Sequence, residues 1–142
     1  MTLEARLRIA GIAFGVGSTI HIIDHLRRGQ GSVSETLSIL GTSALVLQVV
    51  VVTLIVVRHH IAPLVALGAG WSLAVGFAAA HWLPRWSEIS DPVWEIESQT
   101  WYSYIASTTE IAAAIAIALA GGSIVRRDGL AHFATGTTAA AG

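Results

Sequence analysis

Leu37-Ser-Ile-Leu-Gly-Thr-Ser-Ala-Leu-Val-Leu-Gln-Val-Val-Val-Val-Thr-Leu-Ile-Val-Val57 carries no charge from end to end. A helix needs about 20 predominantly apolar residues to cross the hydrocarbon core of a bilayer, and this run supplies them. Three further runs of the same character surround it, from Ile9 to Leu26, Ile61 to Leu83 and Thr100 to Gly122. Because backbone N–H and C=O groups in lipid must be satisfied within the chain, runs of this length cross as helices. The expected fold class is an all-α integral membrane protein, with four transmembrane helices at about 9–26, 37–57, 61–83 and 100–122 inside one domain of residues 1–127.

Composition agrees with that reading. The chain has 142 residues, of which 54% are hydrophobic and 12% charged, with a mean hydropathy of +0.67; soluble domains average about 25% charged residues. A net charge of -1 offers no basic footprint for nucleic acid. With no cysteine, disulfides, thiol nucleophiles and thiolate metal sites are excluded, and with them the quinone-linked disulfide-forming membrane enzymes. All 8 basic residues are arginine, and alanine, glycine and valine are abundant, a composition typical of GC-rich bacterial genomes. Arg6 and Arg8 ahead of an apolar stretch resemble a signal peptide, but no small-residue cleavage site precedes His21 and Asp24, so the first helix is expected to be retained.

Connection lengths set the topology. Arg27 to Glu35 joins the first two helices and Arg58-His59-His60 joins the second and third, short links that make neighbours antiparallel. The bundle is expected to run up-down-up-down. The third connection, Pro84 to Gln99, is longer: Asp91-Pro92 reads as an N-cap and first helical position, with Ile89, Val93 and Ile96 at helical spacing. A short amphipathic helix on the membrane surface is expected there, with Glu88, Asp91 and Glu95 on its polar side and Glu97 just beyond. The tail from 128 to 142 is rich in alanine, threonine and glycine without apolar periodicity and is expected to be disordered, leaving His132 without a role. His59-His60 reads as a solvated turn.

Arginine counts orient the bundle. Arg6, Arg8, Arg58, Arg126 and Arg127 lie on the side of the termini, against Arg27, Arg28 and Arg85 on the other, which places both termini in the cytoplasm of a multi-pass cell-membrane protein. The outer face is then acidic and edged by Trp82, Trp86, Trp94, Trp101 and Tyr102, an interfacial aromatic belt.

Ionisable residues inside the spans are costly and point to function. His21-Ile-Ile-Asp24-His25 ends the first helix, His81 ends the third, and Glu110 lies about ten residues into the fourth, roughly 15 Å along its axis. Antiparallel topology brings all five into the outer half of the bilayer. Gly11, Gly15, Ser18 and His25 form a stripe of small and polar residues with His21 beside it, and Ser103, Ser107 and Glu110 form a second on the fourth helix; such stripes mark packed faces. Gln48 is the strongly polar group of the second helix.

Imidazole nitrogens bind zinc, iron, copper and haem iron, and carboxylates add hard ligands or support a ligating histidine. The metal set read from these positions is His21, His25, His81 and Glu110, for a divalent ion (Zn, Fe or Cu) or a haem, with Glu110 and Asp24 as candidate acid/base residues. The spacing is not the H-E-x-x-H zinc-protease pattern. On the plainer reading, Asp24 pairs with Arg28 or Arg27 on its own helix and His25 and His81 sit at the interface. The function this favours is metal- or haem-dependent redox or acid/base chemistry on a membrane-soluble, lipid-like or quinone-like molecule. Proton- or ion-coupled transport and an accessory role in a larger membrane complex are the alternatives, and the exposed small residues suit a homodimer.

Overall fold

The computed structural model describes residues 1–29, 32–96 and 100–135. These are all-helical, with no strand among the described residues: α1 Leu3–Arg28, α2 Glu35–Val56, α3 Ala62–His81, a single 3₁₀ turn Val93–Glu95, α4 Trp101–Asp128 and α5 Leu130–Thr135. The four long helices are long and apolar enough to cross a membrane.

Local chemistry sets their ends. Thr2 and Ser34 cap α1 and α2, each hydroxyl accepting an N–H three residues on, from Ala5 and Leu37 at 3.1 Å. Pro63 lies in the first turn of α3, where its missing N–H costs nothing. Gly29 and Gly129, with φ of 88° and 79°, stop α1 and α4 in a backbone region other residues avoid. α1 and α4 both outrun their apolar stretches, because hydropathy measures the part in lipid whereas backbone hydrogen bonding continues to the cap. Glu4 and Arg127 in those polar extensions pair at 2.7 Å.

α4 is the hub, packing extensively against α3 and α1, while α2 contacts α1 and α3 more sparingly. Of the most apolar window of each helix, 44% is buried for α4 and 17% for α2. Glycines let the hub close up: a methyl on Gly70 would stand 2.7 Å from Ala114 O, and one on Gly121 2.5 Å from Pro63 O. Gly121 of α4 stands beside Pro63 and Leu67 of α3, Gly11 of α1 beside Ile55 of α2, and Gly17 of α1 beside Glu110 of α4. Phe14, Ala66, Ala114 and Ile117 form the centre of the core.

The third connection differs from the amphipathic helix expected of it. Among its described residues the helical element is the 3₁₀ turn at 93–95, and the Asp91 carboxylate does not cap a helix but is drawn to Arg28, 2.8 Å away. Glu97 lies outside the described residues. Instead the connection folds back onto the helix ends, Asp91 N–H donating to Ala80 O at 2.9 Å and the Trp86 indole N–H to Ala79 O at 2.9 Å. The tail expected to lack structure begins with α5, whose Phe133 is buried in the core; residues 136–142 lie outside the described part.

Candidate metal centre

Three imidazoles from two helices meet at one point. His21 and His25 are one turn apart on α1, so their rings lie on one face, and their Nε2 atoms approach to 2.9 Å. His81, the last residue of α3, brings its ring to 4.9 Å from that of His21 and 6.1 Å from that of His25. One nitrogen from each of the three falls within 4.8 Å of the others. Two tetrahedral ligands on one zinc ion, each at about 2.0–2.1 Å, stand about 3.4 Å apart; the His21–His25 pair at 2.9 Å is inside that separation, and His81 needs at most about 1.4 Å of closure. His21 and His81 are buried, His25 half-buried.

Two of the rings, those of His81 and His25, are held by further hydrogen bonds. His81 Nδ1–H donates to the backbone oxygen of Asp91 at 3.0 Å, which fixes the tautomer that leaves Nε2 with its lone pair. His21 Nδ1 faces Glu110 Oε2 at 3.4 Å. Glu110 is 1% exposed, and its other oxygen accepts the Gln48 amide N–H at 3.0 Å. Of the four positions read as a ligand set, the structure therefore gathers the three histidines and places Glu110 one ring further out, against the far nitrogen of His21. Three elements set this register: the α1 turn carrying His21, mid-α2 at Gln48 and mid-α4 at Glu110.

Asp24 points elsewhere. Its Oδ1 accepts from Arg27 at 2.8 Å and from the Ser103 hydroxyl at 3.0 Å, and its Oδ2 lies 3.4 Å from Arg28 Nε. The intrahelical pairing read as the plainer alternative is what forms, with Ser103 of α4 added. Arg28, its side chain 1% exposed, also donates to Asp91 Oδ2 at 2.8 Å and to His25 Nδ1 at 2.8 Å. Arg28 and Asp91 are the site residues that sequence reasoning missed. The i, i+4 spacing of Asp24 and Arg28 was a usable signal for one; nothing in the sequence around Asp91 distinguishes an ion-pair partner from a helix cap.

The histidines, Gln48 and Glu110 line a half-open cavity of about 1000 Å³ between α1, α2 and α3. The rest of its surface is chiefly apolar, including Ile22, Leu45, Leu73 and Phe77. Neither a known protein family, nor a curated protein, nor a solved structure matches the chain. Function therefore rests on this geometry.

Proposed function

We propose that His21, His25 and His81 bind a divalent transition-metal ion in the outer half of the bilayer, in an up-down-up-down bundle whose termini face the cytoplasm, and that the bound ion acts on a membrane-soluble molecule. The observation that carries the reading is the convergence of three imidazole nitrogens, with the His81 ring held by the Asp91 backbone oxygen and the His25 ring by Arg28. Supporting it, the site contains three carboxyls (Asp24, Asp91 and Glu110) but two guanidinium groups (Arg27 and Arg28), and Glu110 is the carboxyl without an arginine. A cation beside it satisfies both the charge balance and the cost of a carboxylate in apolar surroundings.

Imidazole ligation suits zinc, iron and copper. A bare ion fits better than a haem: rings 4.9 Å apart and inclined at 61° converge on a point instead of flanking a macrocycle. When bound, the ion supplies Lewis-acid or redox chemistry to a group presented from the cavity. Glu110 orients His21 and is the residue placed to hold a proton next to the site. Asp24 serves as counter-charge to Arg27 and Arg28, and so the acid/base role falls to Glu110. The surrounding apolar wall excludes water and admits substrate from the lipid.

Elemental analysis of the detergent-purified full chain tests this. One equivalent of zinc, iron or copper is expected in the wild type and less than a tenth of that in His81→Ala, with unchanged helix content by circular dichroism. A wild type that takes up no transition metal on dialysis overturns the proposal; a Soret band would replace the bare ion with haem.

A further inference from the structure

Two kinds of glycine occur in the spans. In membrane helices glycine ordinarily marks close approach of backbones, and Gly11, Gly70 and Gly121 conform, since a Cβ on any of them would stand under 3.0 Å from a neighbour. Gly41 of α2 and Gly76 of α3 do not: a Cβ on either would meet no atom within 4 Å. Both line the cavity. Glycine within a helix costs about 1 kcal/mol relative to alanine, and neither glycine returns that cost as packing. What each provides is room on the cavity wall.

The room has a shape. Along α2 the lining runs from Glu35 to Gln48, thirteen residues and so about 20 Å at 1.5 Å per residue. Along α3 it runs from Ser72 to His81, about 14 Å. The long dimension therefore follows the helix axes, the direction of lipid chains, and is comparable to one leaflet, about half of the roughly 30 Å hydrocarbon core. The volume lies at the upper end of the range of about 300–1,000 Å³ found for ligand sites. The acidic residues lining the cavity are Glu35 and Glu110, and no arginine is among its lining residues, so the side chains offer an anionic head no counter-charge; the three histidines line it as well.

We infer that this cavity holds a single-chain amphiphile with an uncharged head bearing a hydroxyl or carbonyl, its chain lying along α2 past Gly41 and Gly76 and its head at the histidines. The assignment of the head rests on the metal reading of those histidines; that of the chain rests on the glycines and the shape alone. A two-chained phospholipid has twice the chain, and the carboxylate of a fatty acid finds no cationic side chain on the lining.

Native mass spectrometry of the full chain released from micelles tests the inference, with hexadecanol, palmitate and a dioleoyl phosphatidylcholine offered separately and metal content measured on the same samples. One hexadecanol per chain is expected to survive on the wild type, with palmitate and phospholipid at least tenfold less occupied. Gly41→Leu and Gly76→Leu, which insert side chains without a clash, are expected to lower hexadecanol occupancy at least tenfold. Gly68→Leu is the control, since Gly68 likewise has nothing within 4 Å but does not line the cavity; it should behave as wild type. Equal hexadecanol occupancy in all four proteins overturns the inference, and so does a phospholipid or palmitate that binds better than the alcohol. Should the wild type carry no metal while the two glycine variants still lose hexadecanol, the metal reading fails and the chain site stands. If metal is retained but lipid binding ignores the glycine substitutions, the metal reading stands and the chain site fails.

Discussion

The two sides of the bundle use the same residues to opposite ends. Where α4 meets α1 and α3, glycine and alanine let backbones touch, and Phe14, Ala66, Ala114 and Ile117 fill the remaining space. On the α2 side, Gly41 and Gly76 face open space while Gly11 meets α2 at the Ile55 side chain; Val46 and Val50 face outward, and the buried positions of α2 are Gln48, Val51 and Ile55. The contrast teaches that small residues in a span do not by themselves report packing. What distinguishes the two uses is what a side chain at that position would strike.

Four substitutions break or sharpen this comparison, and a fifth sets its lower bound. The largest effect is expected at the outer rim of the close-packed side, where Arg28→Ala strips the partner from buried Asp91 and a partner from Asp24. Removing one member of a buried ion pair costs about 3–5 kcal/mol, and the loss is read from unfolding of the purified protein in detergent. A cost below about 1 kcal/mol would mean that the rim is wetter than its burial implies.

Next comes Gly70→Leu, expected to cost about 3 kcal/mol because its Cβ must displace the Ala114 backbone. Gly76→Leu, on the void side, is expected to leave stability unchanged or raise it by up to about 1 kcal/mol through helix propensity. Equal costs at the two positions would erase the distinction between the sides.

Glu110→Gln probes the seam between them. Loss of a carboxylate behind a ligating histidine weakens metal binding by about 10- to 100-fold, so competition with a metallochromic chelator should show a drop of that size while the fold is kept. Unchanged affinity would place Glu110 with the packing instead of the site. The smallest effect is expected for Arg85→Ala. Its partner Glu95 lies at 2.8 Å, but both side chains are more than a third exposed, and such pairs contribute about 0–1 kcal/mol before salt screening. The same unfolding measurement checks it.

Much of this was legible in the residues. Four predominantly apolar runs of bilayer length leave little choice of secondary structure, and short connections bring His81 to the same end as His21 and His25. The buried positions of α1, Leu7, Gly11, Phe14, Ser18 and His21, recur every three or four residues. The stripe read from the sequence shares Gly11 and Ser18 with this set; its Gly15 and His25 are half-buried, and His21, read as lying beside the stripe, is the more deeply buried of the two histidines. What the sequence withheld has a common cause. The tie between Arg28 and Asp91 joins residues 63 positions apart, and the stand-off of α2 depends on how far three other helices can approach one another. Apolar content, which defines a span, is silent on both.

The contact between Gly17 and Glu110 links α1 with α4, which is synthesised after it. α1 leaves the ribosome with only α2 as neighbour, and its contacts with α2 are the less extensive ones. His21 and Asp24 must therefore enter the bilayer before Glu110 and Ser103 exist to receive them. Chains dominated by distant contacts close late and expose unfinished surfaces while they wait. For this protein the waiting surface is the one that bears the histidines, and insertion of α4 is the event that completes both the core and the site.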